Sequence, residues 1–271
     1  MQLSDSAVSA FQNFIWDFYA REGRQFAWRH AQDPYRIMVS EIMLQQTQTY
    51  RVETKYEQFL AAFPDCESLA QATLRDVLSV WTGLGYNRRG MALYNCAKKI
   101  MDEFGGNLPN NPEILVTFPG IGKATAASIC AFAFNRPTVF IETNIRAVFI
   151  HTFFPGQTEV HDKQLLPLIE QTLDVSNARE WYYALMDYGV YLKKSVPNPS
   201  RKSKHHTKQS RFEGSDRQIR GAIIRELTRY PGMTYQEIVK ATEKEPERVE
   251  RILTELCDEK LVQLVGNVFS I

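Results

Sequence analysis

The chain has 271 residues, 44% hydrophobic and 23% charged, with a net charge of +1. That is enough apolar material for one large or two modest domains, and it excludes a disordered chain. A charge so near zero neither demands nor forbids a nucleic-acid partner, so where the cations lie matters more than their total. The four cysteines, Cys66, Cys96, Cys130 and Cys257, form no CxxC pair. This argues against a zinc site, an iron–sulfur site or a disulfide framework, and for a reducing compartment. The N-terminal "MQLSDSAVSAFQNF" has no basic leader, and no apolar run approaches the ~18 residues of a membrane helix. The expectation is a cytoplasmic, nucleoid-associated monomer with no membrane partner.

Helical periodicity dominates from the start. Val8, Phe11, Ile15 and Phe18 recur at three- and four-residue spacing behind Ser4 or Ser6 as N-cap. The same spacing predicts helices around 35–46, 50–63, 67–73, 75–82, 88–104, 112–117, 123–134, 143–153, 161–173 and 177–192. Turn signals such as "FPDC", "GGNLPNNP" and "FPGQ" separate them. Strand-like alternation is nearly absent, so this part reads as all-α.

Composition changes at "KKSVPNPSRKSKHHTKQSRFEG", which has seven Lys or Arg, two His and almost nothing apolar. Residues 193–213 are read as a basic linker, either a solvated tether or a phosphate contact. Three helical segments then precede "VQLVGNVFSI", two short strands around a Gly-Asn turn. Three helices and a terminal hairpin make 214–271 a small winged-helix-like α+β domain.

Four stretches could carry chemistry. In "DPYRIMVSEIMLQQTQTYRV", Ile37, Glu41 and Leu44 share one helix face. A carboxylate there should have a raised pKa, as a general acid near neutrality needs; alternatively it pairs with a cation at the edge of the face. Gln45 and Gln46 follow, amides suited to base edges or to filling a gap in a base stack. "GLGYNRRG" presents Tyr86 beside Arg88 and Arg89, an aromatic for stacking next to cations for phosphate. "FPGIGKATAASI" puts Gly120 and Gly122 in a tight turn ahead of Lys123 and Thr125, where a helix start offers free amides to a phosphate. In "TVFIETNIRAV" a second carboxylate, Glu142, precedes a helix that Thr143 could cap.

Together "FAWRHAQDPYRIMVSEIMLQQTQ", "WTGLGYNRRG", "FPGIGKATAA" and "FIETNIRAV" resemble, in order and spacing, the helix-hairpin-helix DNA glycosylases. "SEIMLQQTQ" is most similar to the MutY-type adenine glycosylases. The resemblance covers roughly residues 10 to 192. It implies a core of two helical subdomains over 1–192, one of six helices (about 24–135) and one from 1–23 plus 136–192. It further implies an enzyme that extrudes a base from double-stranded DNA and cleaves its N-glycosidic bond, as in base-excision repair. By that comparison Glu41 protonates the base, Glu142 faces the developing sugar cation and Asn144 is a further site residue. Gln45, Gln46 and Tyr86 wedge into the duplex, and Trp28 and Arg29 lie near the base pocket.

The departures set further expectations. The lyase lysine position is Ala124, with Lys123 one residue earlier, so a monofunctional glycosylase is expected. The basic linker after "MDYGVYL", where relatives have an iron–sulfur loop, holds no cysteine, and the Nudix-like domain that reads 8-oxoguanine is replaced by the winged-helix-like unit. No cofactor is expected beyond a monovalent cation at the 118–122 hairpin. Where the family has aspartate, this chain has Glu142, longer by about 1.5 Å. Adenine removal from a purine mispair is the leading reading. A mismatched thymine, a uracil, a damaged purine, or a non-catalytic lesion-binding role are the alternatives.

Overall fold

A computed structural model describes residues 1–206 and 211–271, so residues 207–210 of the basic linker lie outside the described residues. Among the described residues there are fourteen α-helices and one two-stranded sheet. No helix there is long and apolar enough to cross a membrane. The helices are α1 (Asp5–Glu22), α2 (Pro34–Leu44), α3 (Thr49–Ala62), α4 (Cys66–Gln71), α5 (Leu74–Trp81), α6 (Asn87–Phe104) and α7 (Pro112–Leu115). They continue with α8 (Lys123–Phe134), α9 (Thr143–Phe153), α10 (Asp162–Thr172) and α11 (Ala178–Ser195). The C-terminal part has α12 (Asp216–Arg229), α13 (Tyr235–Thr242) and α14 (Pro246–Asp258), then β1 (Gln263–Val265) and β2 (Val268–Ser270). Short 3-10 turns occupy Ala27–Arg29 and Pro199–Lys202.

The chain divides into two compact units. The first comprises residues 1–41, 110–117 and the described part of 121–206. Its core is built by α1, α8, α9, α10 and α11. Ser4 is the cap of α1, its Oγ accepting from the Ala7 amide, and Phe11, Ile15 and Phe18 line the buried face. They meet Trp181, Leu185 and Leu192 of α11 and Val148 and Phe149 of α9 in one apolar cluster. The front of the basic linker also belongs here. Val160 and Ser203 form an isolated bridge, Pro199 and Ser200 are buried, and Lys202 Nζ donates to the Pro155 carbonyl. A buried proline and backbone pairing hold this stretch against the core, so it is not a free tether.

The second unit comprises 42–109, 118–120 and the described part of the C-terminal segment, 211–271. Thr73 and Asp65 open α5 and α4 with capping boxes, which fix the turns between these short helices. The winged-helix-like segment packs on α5. Leu78, fully buried, joins Ile223, Leu227, Ile252 and Leu256 in one cluster, and Arg75 donates to the Thr228 carbonyl from both Nε and Nη2. The terminal hairpin pairs Val265 with Val268 around Gly266, which has φ +62°. That left-handed backbone is what glycine supplies in such a turn.

Candidate active site

Glu41, itself half-buried, lies on α2 among apolar side chains. Ile37, Met38, Val39, Ile42 and Met43 are all buried. Its Oε2 accepts from Ser128 Oγ at 2.6 Å, and that hydroxyl also lies 3.1 Å from the Thr125 carbonyl. One hydroxyl proton cannot serve both acceptors. When Glu41 is ionised Ser128 donates to it; when Glu41 is protonated, Ser128 can accept from the acid and donate to Thr125. Burial pushes the Glu41 carboxyl up to about 7; the Ser128 hydroxyl opposes this and the charge of Glu142 adds to it. Among the described residues no cation pairs with Glu41. Ser128 was not singled out from the sequence. Its signal was a hydroxyl three residues after Thr125 in the otherwise apolar run "ATAASICAFAF".

Glu142 is itself the N-cap of α9, the position the sequence suggested for Thr143. The longer side chain folds back, so that Oε1 accepts from the amides of Asn144 at 2.7 Å and Ile145 at 2.8 Å. Oε2 accepts from Asn144 Nδ2 at 3.1 Å. Thr143 is exposed instead. Burial holds the Glu142 carboxyl above its ordinary range, and the two amides, with Lys193 and Arg146 nearby, only partly offset it. A helix start alone therefore does not settle its charge. Asn144 Oδ1 is buried and finds no hydrogen-bond partner among the described residues. A buried carbonyl oxygen left unmade is costly, which marks this atom as an acceptor for something that enters the site.

What brings α9 here is a glycine in α11. A Cβ on Gly189 would lie 2.4 Å from the Asn144 carbonyl oxygen, so only glycine allows the two helices this close. Gly189→Ala should push the start of α9 and both Glu142 and Asn144 with it. We expect a loss of about 1–3 kcal/mol in stability and a slower reaction, read by thermal melts and by single-turnover rates.

Trp28 and Arg29 are consumed by structure. Trp28 stacks on Phe26 at 4.7 Å between ring centroids, and the guanidinium groups of Arg24 and Arg29 lie over the Phe26 ring. Arg29 makes a two-pronged bond to Asp187 at 2.8 and 2.7 Å and lies over the Tyr183 ring. In the first unit, then, Ser128 bonds Glu41 and Asn144 bonds Glu142, while Arg29 is held in a buried ion pair with Asp187.

The remaining residues singled out by sequence lie on loops. Gln46 and Tyr86 both have left-handed backbones, φ +53° and +50°. Non-glycine residues there are strained, as is common at functional loops. Gln45 Nε2 reaches the Gly120 carbonyl at 3.3 Å. Arg88 is tied to Glu259 by two nitrogens. Its neighbour Arg89, read from the sequence with Arg88 as a cation for phosphate, turns inward and donates to the carbonyls of Ile42, Met43 and Gln45, closing the end of α2. Burial lowers the Arg89 guanidinium to about 10. In the hairpin, Gly120 has φ +70° and a Cβ there would meet Ala92 at 2.7 Å. Gly122 caps α8 without a side chain, and Gly122 and Lys123 are exposed while Thr125 is half-buried.

Among the described residues no three His, Cys, Asp or Glu lie together as a ligand set. Cys66, Cys96 and Cys130 are buried and Cys257 is half-buried. Their dispersal does not fit a four-thiolate cluster. The carbonyls of Pro119 and Gly120, which a hairpin cation would use, accept from Cys96 and Gln45.

Comparison with known proteins agrees with this layout. Residues 39–170 match the model of the HhH-GPD superfamily base excision DNA repair proteins. The chain is 33% identical over 184 residues to an adenine DNA glycosylase of Buchnera aphidicola, covering 67% of this chain and 52% of that protein. It is 33% identical over 195 residues to the human adenine DNA glycosylase, covering 68% of this chain and 36% of that one. The chain thus spans about half the length, or less, of these curated relatives. A solved thermostable thymine-DNA glycosylase superposes with a TM-score of 0.63 at 26% identity, over 73% of this chain and 90% of that one. With its hairpin and its two glutamates all inside the matched span, residues 39–170 are a domain of the HhH-GPD superfamily of base excision DNA repair proteins.

Proposed function

We propose that the chain is a monofunctional DNA glycosylase that takes a base out of duplex DNA and hydrolyses its N-glycosidic bond, with adenine in a purine mispair as the leading substrate. One observation carries this reading: in one unit, Glu41 among apolar neighbours is bonded by Ser128 at 2.6 Å, and a second carboxylate, Glu142, is held by two backbone amides. Glu41 gives its proton to a ring nitrogen of the extruded base, the bond from C1′ breaks, and the base leaves as a neutral molecule. Ser128 swings its hydroxyl toward Glu41 as the acid becomes a carboxylate. Glu142 balances the cationic sugar, and water adds to C1′ with its proton passing to the Glu142 carboxylate. Asn144 Oδ1 is free to accept from that water or from the base. Two carboxyl groups in different surroundings, one bonded by a hydroxyl and one by backbone amides, divide the acid and electrostatic roles. With Ala124 in the hairpin helix there is no amine to form a Schiff base.

The adenine reading rests on the two curated relatives, whose names give adenine as the base. A second reading, removal of mismatched thymine, is favoured by length. This chain spans 90% of the solved thymine-DNA glycosylase but only 52% and 36% of the two adenine enzymes. The test is single-turnover base release from duplexes holding A opposite 8-oxoguanine or G, and T or U opposite G, each followed by alkali. Release of adenine alone supports the leading reading, and release of thymine alone the second. Binding without an abasic product on any duplex, or strand cleavage before alkali, contradicts the proposal. The rate on the preferred duplex should fall above about pH 7, as Glu41 loses its proton, and fall again in acid as Glu142 gains one.

A further inference from the structure

The second unit contains an open groove of about 1310 Å³ that includes neither Glu41 nor Glu142. Pockets for small molecules run to ~300–1,000 Å³, so this one is larger and less enclosed than a nucleotide site. One wall is the strained loop pair, with Gln46, Tyr86 and Arg51; the other is the C-terminal segment. Exposed rings stand at both sides, Tyr50 and Phe212. Its cations outnumber its one lining carboxylate, Glu255, even though Arg88 and Arg220 are neutralised by Glu259 behind it and Arg225 Nε lies 3.3 Å from Glu226.

The C-terminal segment does not offer its third helix here. In a winged-helix protein that helix enters the major groove. In this chain α14 buries Val249, Ile252, Leu253 and Leu256, and Arg248 and Arg251 bond Asp216 at 2.6 and 2.8 Å. Its basic residues are therefore spent inside the segment. The first helix, α12, lines the groove with Arg217, Arg220, Gly221 and Arg225, a single stripe at helical spacing. Lys244 follows α13 on the same groove. Arg217 Nη1 donates to Tyr86 Oη at 2.7 Å, so the stripe meets the loop that carries the exposed aromatic.

Gly221 is the independent clue. It sits in the interior of α12, where glycine weakens a helix relative to alanine. Nothing in the fold asks for it, because a Cβ built there meets no atom within 4 Å. A glycine on a cationic groove wall, with no neighbour to make room for, suits close approach of a ligand backbone. The geometry points to α12 of the C-terminal segment as a phosphate-backbone site for duplex DNA, with Gly221 as the point of closest approach and Arg225 and Lys244 gripping the phosphates on either side.

This inference rests on the reading of the chain as a DNA enzyme, and its test separates the two. Binding of the full chain to a fluorescent duplex of about 30 base pairs is measured by anisotropy across salt. Three forms are compared: wild type, Arg225→Ala with Lys244→Ala, and Gly221→Leu. The double variant should weaken binding about tenfold and lower the salt slope by about 2, since each phosphate contact contributes about 0.9. Gly221→Leu should weaken binding to a similar degree with the salt slope unchanged, because it blocks approach without removing charge. Gly221→Ala should raise the melting temperature by about 2 °C, which shows that the glycine is not kept for folding. Restored slope in Arg225→Lys with Lys244→Arg identifies charge as the cause. Wild-type affinity in either the double variant or Gly221→Leu overturns the assignment. If the wild type binds and the variants behave as stated but no duplex loses a base, the glycosylase reading fails and this one stands. If base release is normal and the variants bind like wild type, the reverse holds.

Discussion

Glu41→Gln is expected to abolish base release and, at pH 8, to make the protein harder to unfold. The Glu41 carboxyl is raised from an ordinary 4.5 to about 7 because it is buried. Between those values the unfolded chain has released the proton and the folded chain has kept it. The stability this group contributes is thus full below about pH 4.5, falls as pH rises, and is lowest above about pH 7. At roughly 1.4 kcal/mol per pH unit the gap is worth up to about 3 kcal/mol. Glutamine cannot ionise, and its amide can still meet Ser128, so most of that loss disappears. We expect the variant to melt about 5 °C above wild type at pH 8 and together with it near pH 4. Equal melting at both pH values would mean that burial does not raise this acid, and the acid role in catalysis would go with it. Loss of activity combined with a gain in stability is what a reactive group held in an unfavourable place should show.

Glu142→Asp should separate the cap from the chemistry. Aspartate is among the best N-caps, so α9 should keep its first turn and the melting temperature should move little. The carboxylate, however, would draw back by about 1.5 Å. Reactive groups need placing to within about 0.5 Å, and a displacement of this size costs on the order of a hundredfold. We therefore expect a rate lower by about that factor, with substrate binding unchanged, measured as single-turnover rate against Kd. A variant as fast as wild type would show that the backbone of residues 140–145 adjusts to either length. Glu142→Gln, which keeps the length and removes the charge, should be slower still.

Much of this was legible before any coordinates. Three- and four-residue apolar spacing picks out the face of α1 that carries Phe11, Ile15 and Phe18, and Ser4 its start, because a helix with one buried face advertises that face. Glu41 was legible for the same reason, a carboxylate among apolar neighbours. What escaped was whatever depends on a distant partner. Arg88 and Arg89 are indistinguishable in "YNRRG", and only the end of α2 decides that Arg89 is the one that turns inward. Thr143 is the better cap by type, yet the longer Glu142 reaches its own helix start first. Gly189 reads as a weak spot in α11 until Asn144 is seen against it. The polar, proline-bearing 193–206 stretch reads as a tether because its partner, Val160, lies forty residues earlier along the chain.

The burial of Leu78 bears on how such a protein could be shortened or rebuilt. A cut near residue 211 looks harmless on paper, since it follows a polar stretch and precedes a recognisable three-helix segment. It would nonetheless strip α5 of its cover, leaving Leu78 in water with Leu74 and Met91, which pack against the same cluster, beside it. An exposed apolar patch of that kind invites association. The tail and the helices it rests on therefore fold, and would have to be engineered, as one body of side chains, and an inactive truncated form would say nothing about whether the tail takes part in the chemistry.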